Sequence, residues 1–239
     1  MKVIAGEMHF KVLNDTIKEH AGETVEIENC IGQRYIGSGR RSGDVIINGT
    51  PGNALGAYLD GADIVVNGNA QDATGDTMND GSISIYGSSG DATGYAMRGG
   101  VIYVRDNAGY RAGIHMKSYK QKHPVLVIGG CAGSFLGEYQ AGGLIIVLGL
   151  GCDTIPVGDF CGTGMHGGKM FIRTDRLPAD LPKQVVAEEA TPEDLKQIEK
   201  YISEFSYKFN TDMREIYEHK FYILTPDTKN PYKQLYTQN

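Results

Sequence analysis

Between Gly43 and Gly168 the sequence repeats itself, and few folds accept such a repeat. In the clearest copy Gly61 leads through Ala-Asp to Ile64-Val65-Val66 and Asn-Gly68; six residues then precede Gly75 and five precede Gly81. From Gly81 the phrase starts again with Ile83, Ile85 and Gly87, and continues through Gly94 to Gly100. The copy before it runs Gly43, Val45-Ile46-Ile47, Gly49, Gly56, Gly61. Later copies are looser. Val101–Val104 leads to Asp106, in the place of a glycine, and then to Gly113. Val125–Ile128 leads to Gly130, Gly137 and Gly143, and Leu144–Leu148 leads to Gly149 and a longer copy with Gly162 and Gly168. Upstream, Cys30 stands where the first glycine would, before Gly37 and Gly43, so the repeat begins near residue 24. A fixed period of about 19 residues is the signature of stacked structural repeats.

Each copy holds one run of four or five residues rich in Val and Ile, which is strand length and strand composition. Glycine bounds the runs where the chain must turn with positive φ or let two backbones approach. Three corners per copy imply three faces per turn. The expectation is an all-β, single-stranded parallel β-helix of about seven coils stacked about 4.8 Å apart, a prism on the order of 30 Å long. One coil cannot bury its own apolar face, so neighbours must. Antiparallel hairpins are the competing reading. The even spacing disfavours them, and Asn-Gly turns occur at Asn48-Gly49 and Asn67-Gly68 but not in the other copies. On this reading Gly-to-Val changes at Gly68 or Gly94 disrupt the fold, because a β-branched residue at positive φ is a steric outlier.

Glycine makes up 33 of the 239 residues, about twice its usual share of roughly 7%; because the excess is periodic it is architecture. The net charge of −6 argues against nucleic acid as a partner. No apolar run reaches the roughly 18 residues of a membrane helix. The polar residues after Met1–Glu7 do not read as a signal peptide, and the four cysteines (Cys30, Cys131, Cys152 and Cys161) contain no Cys-x-x-Cys pair. A reduced, cytoplasmic location is the default expectation.

Along the chain, residues 1–23 read as an N-terminal helical cap, with Phe10, Leu13 and Ile17 at helical spacing over about 9–20. Thr24–Ile27 is the first strand of a repeat domain spanning 24–174. Residues 114–124 and 150–167 interrupt the rhythm and read as insertions at corners, which often make contacts. Residues 175–239 form a crossing segment and a helical tail packed on the repeats. Thr191 is the N-cap, Pro192 the first helical residue, and Leu195, Ile198, Ile202, Phe205 and Phe209 the apolar face. A second short helix covers Met213–His219, and the Pro231–Tyr236 ending reads equally as a docking segment or a frayed terminus.

A search for chemistry assigns no catalytic, cofactor-binding or metal residue. Cys131 and Cys152 can approach across coils, as can His115 and His166, but their spacing does not demand the three or four convergent ligands of a zinc site. No phosphate-binding loop is present, and Gly37-Ser-Gly39 and Gly162-Thr-Gly164 arise easily in a Gly-rich repeat. Asp72, Asp76, Asp80 and Asp91 lie near corners but lack the nine-residue period of a calcium-binding roll.

Several strings owe nothing to the bare period: Gly32-Gln33-Arg34-Tyr35-Ile36, Gly49-Thr-Pro-Gly52-Asn-Ala-Leu-Gly56-Ala, Gly68-Asn-Ala-Gln-Asp72, Gly94-Tyr-Ala-Met97-Arg98-Gly-Gly100, Gly113-Ile-His115-Met-Lys117, Gly137-Glu-Tyr-Gln-Ala-Gly142-Gly143 and Gly162-Thr-Gly-Met165-His166-Gly-Gly168. Over about residues 8–174 the chain resembles the Gly-x-Gly-x-Gly domain of glutamate synthase, the third domain of its large α subunit. The tail resembles the split form, in which that domain is a separate polypeptide. A subunit of formylmethanofuran dehydrogenase is a more distant relative. The resemblance implies a right-handed parallel β-helix and a role in ammonia assimilation, glutamine plus 2-oxoglutarate giving two glutamates. It implies a non-catalytic scaffold between two partners, a glutaminase-like amidotransferase subunit and a synthase subunit that carries FMN and an iron–sulfur cluster, with no cofactor on this chain. It implies neither nucleic acid nor membrane as a partner and leaves homo-oligomerisation open. Candidate interface residues are Gln33, Arg34, Tyr35, His115, Lys117 and His166. The segment Cys152–Val157 is longer than that family's pattern. Two other readings stand beside this one: a scaffold in a different redox complex, and a metal enzyme built on Cys152, Cys161, His115 and His166.

Overall fold

The computed structural model describes residues 1–227. Nine strands follow one another with a single helix among them: β1 (Lys2–Ile4), α1 (Phe10–Glu19), β2 (Val25–Ile31), β3 (Val45–Thr50), β4 (Asp60–Asn67), β5 (Asp80–Ile85), β6 (Val101–Val104), β7 (Val125–Ile128), β8 (Ala141–Val147) and β9 (Gly167–Arg173). The tail adds β10 (Val185–Glu189), α2 (Pro192–Lys196), α3 (Glu199–Phe209), α4 (Met213–Tyr217) and β11 (Phe221–Pro226). All eleven strands form one sheet in the order β1-β2-β3-β4-β5-β6-β7-β8-β9-β11-β10. Pairing is parallel from β1 to β9 and antiparallel where β11 joins β9 and β10 joins β11.

The repeat sets the register. Val25, Val45, Ile64, Ile83, Ile102, Leu126, Ile145 and Met170 pair in one row across the sheet. Ile27, Ile47, Val66, Ile85, Val104, Ile128, Val147 and Ile172 pair in a second row two residues on, and every member of both rows is completely buried. Because side chains alternate across a strand, the intervening residues face the other way. There Tyr103, Val127, Ile146 and Phe171 form a second core with Ile198, Ile202 and Phe205 of the tail. Leu13 and Ile17 of α1 belong to the first core, and Arg40 fastens that helix by donating to the carbonyls of Ile17, His20, Glu23 and Gly43.

The expected single-stranded right-handed parallel β-helix, with three strand-like faces, is not what the structure shows. It is one open, mostly parallel sheet with one strand per repeat. The return path is a turn in which three alternate residues have positive φ: Ala54, Gly56 and Tyr58 in one repeat, Ala73, Gly75 and Thr77 in the next. A β-strand requires negative φ, so this segment cannot be a second sheet. It makes its own ladder instead. The first residue's N–H donates forward to the next repeat (Ala54 to the Asp72 carbonyl, 2.9 Å), the middle one backward (Gly75 to Leu55, 2.8 Å) and the third forward again (Tyr58 to Asp76, 2.8 Å). On the remaining side, single bridges join Ala70, Ser89, Ala108, Ala132 and Val157. The helices of the tail are present, with Thr191 and Asp194 forming a reciprocal cap, and β10 and β11 on either side of them extend the sheet itself. The Pro231–Tyr236 ending lies outside the described residues. No helix among the described residues is long and apolar enough to cross a membrane.

Candidate functional site

The left-handed turns stack into one edge of the molecule, and their side chains make its most distinctive surface. In the earlier repeats the first and third positive-φ positions hold Ala, Thr, Tyr or, at residue 39, Gly; in the later ones they hold Arg111 and His115, then Phe135 and Tyr139, then Phe160 and Gly164. A residue with a Cβ pays about 1–2 kcal/mol in this conformation, so Arg, His, Phe and Tyr here are held by the ladder. Two columns of rings result. Tyr110, Phe135 and Phe160 lie 5.2 and 4.9 Å apart, and Tyr95, His115 and Tyr139 lie 6.0 and 5.2 Å apart, the last pair stacked within 9°. The spacing is close to that of paired strands because the repeats set it. Gly164 makes room for the column: a Cβ there would lie 2.5 Å from Cε1 of Tyr139.

Basic groups line these rings. The Arg111 guanidinium sits 5.3 Å from the Tyr110 ring and 5.2 Å from that of Phe135, and its Nε donates to Glu138 at 2.8 Å. Arg98 and Lys117 are exposed on the same turns, and the His166 Nδ1 lies 3.0 Å from the Gly164 carbonyl. His115, Lys117 and His166 therefore share one edge, with Tyr139 stacked on His115. The other three candidates lie at the N-terminal end. Gln33 is turned inward: its Nε2 donates to the Gly6 and Met8 carbonyls, and its Oε1 accepts from the Ile31 N–H. Arg34 packs over Phe10 at 4.8 Å and Tyr35 lies 6.0 Å from the same ring, 47% exposed.

Of the corner glycines, Gly37, Gly43, Gly49, Gly56, Gly61, Gly68, Gly75, Gly81, Gly94, Gly100, Gly113, Gly137, Gly143, Gly149, Gly162 and Gly168 have positive φ; Gly87 and Gly130 do not. At Gly87 and Gly130 a Cβ would meet side-chain or backbone oxygen of the preceding repeat, Asn69 and Gly68 in one case, Asn107 and Asp106 in the other. Those two are glycines for close approach alone.

The cysteines separate into two kinds. Cys131 and Cys152 form a disulfide with their Cα atoms 6.2 Å apart. Cys30 and Cys161 are free and buried; burial pushes their thiols up to about 11 and about 12. The proposed Cys152/Cys161/His115/His166 metal set is not assembled: among the described residues no three His, Cys, Asp or Glu side chains converge as metal ligands. The insertion carrying Cys152 walls a cleft of about 310 Å³ whose opposite side holds Arg173, Asp175, Arg176, Glu215 and His219. Sequence reasoning missed the disulfide as a bond and missed Arg173, whose guanidinium donates to the Leu148, Glu215 and Ile216 carbonyls. The signal for the disulfide was the insertion itself. Ala132 stacks on Val157, so the residues in excess of the repeat fold back and return Cys152 to Cys131.

The repeat and its edge define the class of protein. The chain belongs to the GXGXG motif family, whose pattern it matches over residues 6–226, the motif found in the C-terminal domain of the glutamate synthase alpha subunit. It is also 46% identical to an uncharacterized protein of Methanocaldococcus jannaschii, across 98% of this chain and 95% of that protein.

Proposed function

We propose that this chain is a scaffold subunit of a glutamate-synthase-type assembly, the GXGXG unit made as a polypeptide of its own. The observation that carries the reading is the family match over residues 6–226, which takes in every repeat and not an isolated motif. The partners on this reading are a glutaminase-like amidotransferase subunit and a synthase subunit holding FMN and an iron–sulfur cluster, in the cytoplasm. The chemistry belongs to them; this chain holds their sites at a fixed separation. Its build suits that task. Each repeat is hydrogen-bonded to the next through both the strand and the turn, and positioned sites work best on such rigid elements.

The aromatic and basic edge is the proposed contact surface. Aromatic rings and Arg are what interface centres are enriched in, and Arg98, Arg111 and Lys117 would favour an acidic patch on the partner. Co-purification from native extract, with the bound proteins identified by mass, tests the assembly. An FMN and iron–sulfur subunit together with a glutaminase-like subunit supports it; a molybdenum or tungsten protein moves the chain to another redox complex; recovery of this chain alone removes the functional reading. Phe160→Ser with Lys117→Glu should weaken the binding by about tenfold or more. Unchanged affinity would rule out this edge.

A further inference from the structure

Going beyond that reading, we propose that Cys131–Cys152 is a thiol–disulfide exchange site for a dithiol reductant, and that its reduction releases the 150–156 loop from the wall of the cleft beside Arg173 and His219. Three observations carry this. The bond is reachable, since both cysteines are partly exposed. It is selective, since Cys30 and Cys161 are 3% and 1% exposed and lie in the apolar core, where burial also suppresses the thiolates that exchange requires. And it is placed to move something. The ends of the loop are anchored by the repeat, with the Leu150 N–H donating to Gly129 and the Pro156 carbonyl accepting from Ala132. Between those anchors Gly151, Asp153 and Thr154 are exposed; the Cys152 N–H donates to Gly149 of the loop's own repeat at 3.3 Å, Ile155 packs on the core beside the Pro156 anchor, and the disulfide ties residues 151–154 to the neighbouring repeat.

The exchange balances with the dithiol alone. One of its thiolates attacks a sulfur of the pair, forming a mixed disulfide and expelling the other cysteine as a thiolate, which takes a proton. Its second thiol then closes on the first to give a cyclic disulfide and frees the second cysteine. Two electrons and two protons pass to the protein. The loop, no longer tethered, opens the cleft in which Asp175 and His219 lie 3.1 Å apart.

The test uses the full chain purified without reductant, native alkylation by iodoacetamide before and after dithiothreitol, and amide hydrogen exchange of residues 150–156. The expected result is no label before reduction and two afterwards, on Cys131 and Cys152, with Cys30 and Cys161 unlabelled. Exchange of the Cys152 amide, which donates to Gly149 in the oxidised loop, should rise by about tenfold or more while β7, β8 and β9 stay protected. The double variant Cys131→Ser with Cys152→Ser should exchange like the reduced protein and ignore the reductant. Labelling of Cys131 or Cys152 before reduction, equal labelling of Cys30 or Cys161, or a loop that stays protected in the double variant would each overturn the proposal.

Discussion

Two glycines with the same backbone separate the cost of a conformation from the cost of a contact. Gly75 and Gly94 are the middle residues of successive turns, with φ of +72° and +74°. A Cβ at Gly94 has its nearest neighbour at 3.8 Å, Cδ2 of Leu126. A Cβ at Gly75 would overlap Cδ1 of Ile102 and touch Cδ1 of Ile83 at 3.6 Å. The same isoleucine contact recurs at Gly56 (Ile83 Cδ1, 2.7 Å) and Gly113 (Ile145 Cδ1, 2.5 Å); Gly94 escapes it because the strand residue there is Leu126. For Gly94→Ala the left-handed conformation costs about 1–2 kcal/mol, and about 0.4–1 kcal/mol returns through the stiffer unfolded chain. The net loss is about 1 kcal/mol. Gly75→Ala carries the same two contributions plus overpacking against a fully buried side chain, about 1–3 kcal/mol more. Ile102→Val removes the offending methyl, costs about 0.5–1.5 kcal/mol alone, and should recover at least about 1 kcal/mol when combined with Gly75→Ala. Urea unfolding followed by circular dichroism measures all four proteins, and equal slopes show that each loses the same folded unit. If Gly75→Ala were no more harmful than Gly94→Ala, or Ile102→Val gave it no relief, the packing account of these corners would be wrong.

Arg40→Met should strand the buried carbonyls at the C-terminal end of α1 and cost about 2–4 kcal/mol, read as early loss of amide protection in residues 10–19 while the strands remain protected. Arg173→Met should cost a similar amount, but should release α4, whose Glu215 and Ile216 carbonyls it holds; limited proteolysis near residue 215 is the readout. Tyr103 is buried with its hydroxyl donating to Glu204 at 2.7 Å, and burial followed by that carboxylate holds its phenol above the ordinary range. Its contribution to stability is fully present below pH of about 10 and is lost as pH rises beyond it, by at most about 1.4 kcal/mol per pH unit. Tyr103→Phe should flatten that alkaline decline in thermal melts; an unchanged slope would show that Tyr103 does not cause it.

The legible part of the fold was the part set by local periodicity. Val and Ile alternation placed the strand of each repeat, and the 9–20 helix and the Thr191 cap were readable from spacing and capping residues. That the return path is a left-handed turn and not two further strand faces was not readable, because glycine at a corner and glycine inside a left-handed ladder look alike in sequence. Ala54, Tyr58 and His115 adopt positive φ without being glycine, and nothing in their identity announces it. The same ambiguity affected Gly94: its φ makes substitution costly, but the site has room that a period alone cannot reveal. At the candidate site, His115, Lys117 and His166 were found as residues, whereas their grouping with Tyr95, Tyr139 and Phe160 required the register of the stack. Gln33 illustrates the converse. Its place in a family string suggested a surface role, yet a glutamine able to join Gly6, Met8 and Ile31 in one contact is what a chain entering its first repeat needs, because those backbone groups have no earlier repeat to pair with.

A stack of equivalent repeats has a weakness that its insertions address. Neighbouring repeats are held by similar nearest-neighbour terms, so any interface between them can open first. The 114–124 insertion places Lys122 between Asp80 at 2.9 Å and Asp60 at 3.4 Å, reaching back over earlier repeats. Each such exposed pair is worth at most about 1 kcal/mol, but it couples units that are otherwise not joined directly. The second insertion ties its loop to the neighbouring repeat covalently through Cys131 and Cys152, and β11 then covers the last parallel strand. Both departures from the period thus resist separation of the units, one by charge and one by a bond that a reductant can cut. On the edge bearing the stacked rings, Arg111 joins the next repeat through Glu138 at 2.8 Å, and on the scaffold reading proposed above this is the face offered to a partner.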